Sequence, residues 1–114
     1  MVAPSAGEVV LVPFPFSDLS QSKVRPAICL AAAGRGDWIC CQVTGNAYSD
    51  PLVVPLDSGD FVRGGLSRLS YARPAKLFTL NRTTFLTSAG KLNDGSFNRI
   101  LTAVVNLFQR PATP

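Results

Sequence analysis

The chain reads as a small, mainly β domain: a barrel or strongly curved sheet with one helix packed on it near the C-terminus. Three observations predict this. Short runs rich in Val, Ile, Leu and Cys recur between clusters of Gly, Pro, Asn, Asp and Ser, as strands joined by turns do. Two of those runs are separated by Gly34-Arg35-Gly36, which supplies the glycines of a tight hairpin. Near the end, Phe97, Ile100, Leu101, Val104, Val105 and Phe108 recur at i, i+3, i+4, i+7, i+8 and i+11, one face of a helix.

In order, EVVLVPF (8–14) is a first strand, with Pro13 and Pro15 expected to end its ladder because proline donates no hydrogen bond. A polar loop follows at 17–23. RPAICLAAA (25–33) and DWICCQVT (37–44) are the hairpin strands. GNAYSDP (45–51) is a loop, and LVVPL (52–56) a short strand that Pro55 assigns to an edge. DSGDFVRGG reads as another loop. Residues 67–80 are extended and bent at Pro74. NRTTFLTSAGKL reads as a helical turn and then a short strand. Asn93 or Asp94 caps the final helix, and Pro111 forbids its continuation.

At 114 residues and 46% apolar, the chain is long enough for one domain, 1–114, with a single core. No apolar run reaches the roughly 20 residues that span a bilayer, and MVAPSAGE lacks the features of a signal peptide, so a cytoplasmic location is expected. The cysteines, Cys29, Cys40 and Cys41, are odd in number, lie in apolar segments and form no Cys-x-x-Cys pair. Buried reduced thiols are the expectation.

Charge is distributed unevenly. Residues 1–60 hold three basic and six acidic groups, whereas residues 61–114 hold eight basic and one acidic, for a total of +4. Such an excess in one half points to a polyanionic or acidic partner, or to a basic surface without a ligand.

The catalytic inventory is short. With no histidine there is no Ser-His-Asp or Cys-His arrangement, and no phosphate loop or dense carboxylate cluster occurs. No metal or cofactor is expected. Arg25 stands out because Pro26 fixes the chain just beyond it, so a rigid strand aims a planar fork that matches phosphate oxygens. Thr44 ends the partner strand. In a hairpin turning near residue 35, positions 25 and 44 both reach the open end, where they can converge. The ordinary alternatives are a surface ion pair for Arg25 and a plain strand residue for Thr44.

The stretch Gly7-Glu8-Val9, the polar loop and Lys23-Val24-Arg25-Pro26-Ala27 resembles the N-terminal signature of the MazF/PemK toxin endoribonucleases. The resemblance continues through VTGN, LSYARPAKLFTL and the C-terminal helix. It implies an SH3-like small barrel, the fold shared by CcdB- and MazF-like toxins. It further implies a homodimer, metal-independent cutting of single-stranded RNA, and an antitoxin whose flexible acidic tail covers the active site. By the same resemblance Arg25 is the catalytic arginine and Thr44 the strand-end partner. Asp18, Ser22 and Lys23 belong to the loop flanking the RNA site. Lys23, Arg73 and Lys76 can contact phosphates, and Tyr48 can stack on a base or pack its own loop. One departure stands out: where the PemK branch carries Arg-x-Asp, this chain has Arg73-Pro74-Ala75, which leaves the general base open, with Asp18 as a substitute. Three other readings are compatible with the fold: a CcdB-like poison of DNA gyrase, a catalytically impaired toxin, and a plain SH3-like peptide module.

Overall fold

Gly34 and Asp37 close a two-residue turn whose central residues, Arg35 and Gly36, have φ of 57° and 82°. Both must be positive for a turn whose twist matches the flanking strands, so the GRG hairpin forms where the sequence places it. The computed structural model describes residues 3–15, 22–47 and 49–111. Its elements are β1 (Glu8–Pro15), β2 (Ser22–Gly34), β3 (Asp37–Thr44), β4 (Val54–Leu56), β5 (Phe61–Gly64), β6 (Ser70–Asn81), β7 (Thr87–Leu92) and α1 (Asp94–Gln109), with 3-10 turns at Ser58–Asp60 and Arg82–Thr84. The seven strands form one antiparallel sheet in the order β4-β6-β3-β2-β1-β7-β5, curled into a half-barrel.

Period-2 alternation explains the near-continuous apolar runs. Val9, Ile28, Leu30, Cys41 and Val43 point to one face, where Phe97, Ile100, Leu101 and Val104 of α1 pack on them. Val10, Val12, Ala27, Cys29 and Cys40 point to the other, where Phe14, Trp38, Phe78, Leu80 and Phe85 gather. Trp38 therefore anchors the sheet. Phe14 meets Phe78 edge to face at 4.8 Å, a favourable aromatic geometry.

Several expectations need correction. Pro13 and Pro15 do not end β1, which runs on with Pro13 opposite Val24 and Pro15 opposite Ser22. Residues two apart present their donors to the same edge, and the Leu11 carbonyl on that edge accepts from Leu86. The two prolines thus lack donors on the side that β7 has already left, since β7 pairs only with Glu8–Leu11. β2 starts at Ser22, so it takes up two residues assigned to the loop. DSGDFVRGG is not all loop: Asp57 caps the first 3-10 turn by accepting from Gly59 at 2.8 Å, and β5 follows as the edge opposite β4. Pro55 lies on an edge strand as expected. β6 bends at Pro74, where Arg73 opposes Gln42 but Leu77 opposes Cys41, leaving residues 74–76 as a bulge.

Asn93 caps α1 by accepting from the Ser96 amide at 2.8 Å. The apolar face of α1 is covered only in part, however. Ile100 is fully buried, but Val105 is 49% and Phe108 73% exposed, so the last turns carry the stripe past the residues that cover it.

The Gly7-Glu8 pair acquires a structural meaning. Gly7 has φ of 88°, which a glycine adopts without strain. Glu8 is buried and receives hydrogen bonds from Arg63 at 2.6 Å, from Ser5 at 3.2 Å and from Ser88, which ties β1 to β5 and β7. Burial opposes ionisation, yet the bonds from Ser88, Arg63 and Ser5 outweigh it and hold the carboxyl below its usual range. Stability from this group is complete above the ordinary carboxylate pKa and is lost as pH falls through the depressed native value. Thermal melts between pH 7 and pH 3 should therefore fall more steeply for the wild type than for Glu8→Gln; parallel curves would show that Glu8 does not carry the acid sensitivity.

Candidate active site

β2 and β3 place Ala27 opposite Gln42, and two residues farther from the turn on each strand stand Arg25 and Thr44. Both line a cleft of about 370 Å³, together with Gln42, Gly45, Asn46, Arg68 and Arg73. Convergence at the open end of the hairpin is thus what the structure shows. Arg25 is half-buried on a strand, with the fixed φ of Pro26 directly after it. The Thr44 hydroxyl accepts from the Asn46 amide at 3.2 Å, a bond that uses a lone pair and leaves the hydroxyl proton for another acceptor.

Arg73 is held firmly. Its Nε donates to Asp50 Oδ2 at 3.2 Å and its Nη1 to Gln42 Oε1 at 3.4 Å. Asp50 accepts in addition from the Leu52 amide at 2.9 Å. The Leu52 amide first, and the Arg73 guanidinium after it, hold the Asp50 carboxyl below its usual range, against some desolvation. Asp50, from the loop after β3, is thus an ion-pair partner of Arg73, and does not stand in for the acid–base carboxylate absent at Ala75. A carboxylate stabilised this way stays ionised and takes up a proton poorly near neutral pH.

Arg68 also enters the cleft, a third guanidinium that the sequence reading did not single out. Its only sequence signal is a cation just after Gly64-Gly65, and nothing local ties it to Thr44. Among the described residues no carboxylate and no histidine lines the cleft. Three arginines beside a threonine hydroxyl make a site for a phosphate or other oxyanion, with planar donors for its oxygens.

Of the residues picked out by sequence, the cleft unites Arg25, Thr44 and Arg73. Lys23 is exposed on β2 and Lys76 is exposed in the β6 bulge, and neither lines it. Asp18 and Tyr48 lie outside the described residues, as does Phe16; of Ser22 the structure gives only its place at the start of β2. The three thiols are free and buried. Burial pushes Cys41 up to about 12, and a hydrogen bond with Cys40 together with burial raises Cys29, so neither is a poised nucleophile. A second cavity, about 420 Å³, lies near Ala3, Leu86 and Thr87, but its charged groups, Glu8 and Arg63, are bonded to each other. No cluster of three or more His, Cys, Asp or Glu suited to a metal occurs among the described residues.

Residues 5–108 match the family model of the PemK-like, MazF-like toxin of type II toxin-antitoxin systems. The chain belongs to this toxin family. Comparison with curated protein sequences gave no match. Among solved structures, the toxin is similar to MazE-MazF from Deinococcus radiodurans (TM-score 0.75, 20% identity, 97% of this chain and 100% of that one). It also resembles an endoribonuclease in complex with its cognate antitoxin from Mycobacterial species (TM-score 0.71, 18% identity, 99% and 100% covered). A third likeness is to the Mycobacterium tuberculosis toxin MazF-mt6 (TM-score 0.69, 16% identity, 92% and 99% covered). At these identities the likeness establishes a common fold, in agreement with the small toxin barrel expected from the sequence. No helix of the described residues is long and apolar enough to cross a membrane.

Proposed function

We propose that this toxin is an endoribonuclease that cuts single-stranded RNA without a metal, leaving 2′,3′-cyclic phosphate and 5′-OH ends. The observation that carries the reading is that Arg25 and Thr44 line one cleft with two further arginines and no acid among its described lining residues. In the reaction the ribose 2′-oxygen loses its proton and bonds to the neighbouring phosphorus. The bond from phosphorus to the 5′-oxygen breaks, and that oxygen gains a proton. Arg25, aimed by β2, stabilises the charge that builds on the phosphorane through preorganised donors. Thr44 donates its hydroxyl proton to a non-bridging oxygen. An arginine remains protonated in nearly any setting, so charge stabilisation is the first role of Arg25 and proton donation to the leaving oxygen the second. Asp50 is a poor base for the reason given above. Asp18, in the segment between β1 and β2, is the candidate to take the 2′-proton.

The partners belong to the same reading. An antitoxin with a flexible acidic tail would be drawn to the positive charge of the three arginines and block RNA entry, in keeping with the solved relatives that hold an antitoxin. A cytoplasmic homodimer completes the reading. Because the nucleophile is the 2′-hydroxyl, the DNA copy of an RNA that is cut should survive intact under the same conditions, and the RNA fragments should carry cyclic phosphate. Cutting of the DNA copy, or fragments with 3′-OH ends, would assign a different chemistry.

A further inference from the structure

We propose that Arg68 holds the phosphate next to the scissile one, and that Gly45 is the seat that positions its guanidinium. This deepens the RNA-cleaving reading and rests on it.

Gly45 differs from most glycines of the turns. Gly7, Gly34, Gly36, Gly64 and Gly65 have positive φ, and Gly45 does not, so its backbone conformation suits any residue. Room is what demands glycine there. A Cβ on Gly45 would lie 2.2 Å from Arg68 Nη2, 2.7 Å from Cζ and 2.8 Å from Nε. Three atoms of one planar group at such distances place the guanidinium directly over the vacant side of Gly45. Ser70, itself buried, donates its hydroxyl to the Arg68 carbonyl at 3.0 Å and fixes the backbone from which the side chain reaches. The cation is thereby held beside the residue that follows Thr44, in the same cleft as Arg25.

Position in the fold separates the two cations. Arg25 is half-buried within the sheet, whereas Arg68 is exposed on the segment between β5 and β6. A phosphate that does not react keeps the same charge in ground and transition states, so a cation bound to it stabilises both equally, the kind of binding that lowers KM without raising kcat. Phosphate contacts of this kind set the register of a strand and carry no base information. Arg68 thus holds the strand across Thr44 while Arg25 acts on the reacting phosphorus.

The test uses wild type, Arg68→Gln, Gly45→Ala and the double variant on one RNA whose cut site has been mapped. Affinity is measured in parallel across a salt range, with a copy carrying 2′-deoxyribose at the cut nucleotide. Arg68→Gln should raise KM about tenfold, the worth of a charged hydrogen-bonded contact, with kcat within about twofold. The slope of log affinity against log salt should fall by about 0.7, one phosphate contact on a single strand. Gly45→Ala keeps the charge but displaces the guanidinium, so it should raise KM severalfold. Melting temperature should not change, because only a flexible side-chain end has to move. The double variant should be no worse than Arg68→Gln, since the two changes remove one interaction. Unchanged KM and salt slope in Arg68→Gln, from a wild type that cuts and binds, would overturn the proposal and leave the nuclease reading intact. A loss in kcat as large as the rise in KM would put Arg68 on the scissile phosphate and overturn it as well. Gly45→Ala with wild-type KM, or effects of the two variants that add, would remove Gly45 as the seat. A wild type that neither cuts nor binds RNA would overturn both readings together.

Discussion

Arg25→Ala should lower kcat on RNA by roughly 10²–10³, with little change in KM, as the loss of one preorganised donor to a developing anion does elsewhere. The effect is expected to be this large because Arg25 is carried by a strand that pairs it with Val12 of β1, two residues beyond the last β3 pair at Ala27, and is followed by a fixed proline. Its donors need no reorganisation at the moment of reaction. Arg25→Lys is the informative companion. It keeps a positive charge but loses the planar fork, so it should recover only part of the rate. The folded state should be retained, since position 25 is half-buried and belongs to neither apolar cluster. Single-turnover cleavage with a melting curve on each variant checks all three statements. Equal rates for Arg25→Ala and wild type would remove Arg25 from the chemistry.

The largest stability effect should come from Ile28→Ala. Ile28 is fully buried on β2, opposite Val9 on one side and Cys41 on the other, in the cluster that α1 covers. Truncation removes three carbons where two neighbouring strands and a helix restrict collapse into the gap. A loss of about 2–5 kcal/mol is expected, the range for Ile and Leu truncations in cores. Against a total stability of about 5–15 kcal/mol, that is enough to unfold a marginal domain on warming. Urea unfolding should show a lower midpoint with an unchanged slope. A cost below about 1 kcal/mol would mean that the cluster is loosely packed at its centre.

What could be read in advance, and what could not, separates by the range of the interaction. The GRG hairpin, the Asn93 cap and the bend at Pro74 are local: two glycines, one side-chain oxygen and one missing donor decide them within a few residues. Arg25 and Thr44 were legible as a pair because a tight turn between them fixes their register. Pro13 and Pro15 were misread because their effect depends on which edge their missing donors face and on where β7 ends, facts that belong to the assembled sheet. β5 escaped notice because Val62 and Arg63 are exposed on a four-residue edge, which leaves no alternation to detect. Asp50 as the partner of Arg73, and Arg68 over Gly45, join residues remote in the chain through the β6 side of the cleft. Their spacing in sequence carries no signal. The exposed end of α1 was hidden for a related reason: periodicity shows which face is apolar but not how far the covering residues extend.

The most direct measurement is to incubate the purified toxin, in EDTA, with a long unstructured RNA and to sequence the ends of any fragments, with Arg25→Ala in parallel. The account predicts discrete cuts with 2′,3′-cyclic phosphate and 5′-OH ends, absent or strongly slowed in Arg25→Ala. Intact RNA after incubation with a folded wild type that still binds its antitoxin would contradict it, and would direct attention to a protein target such as gyrase.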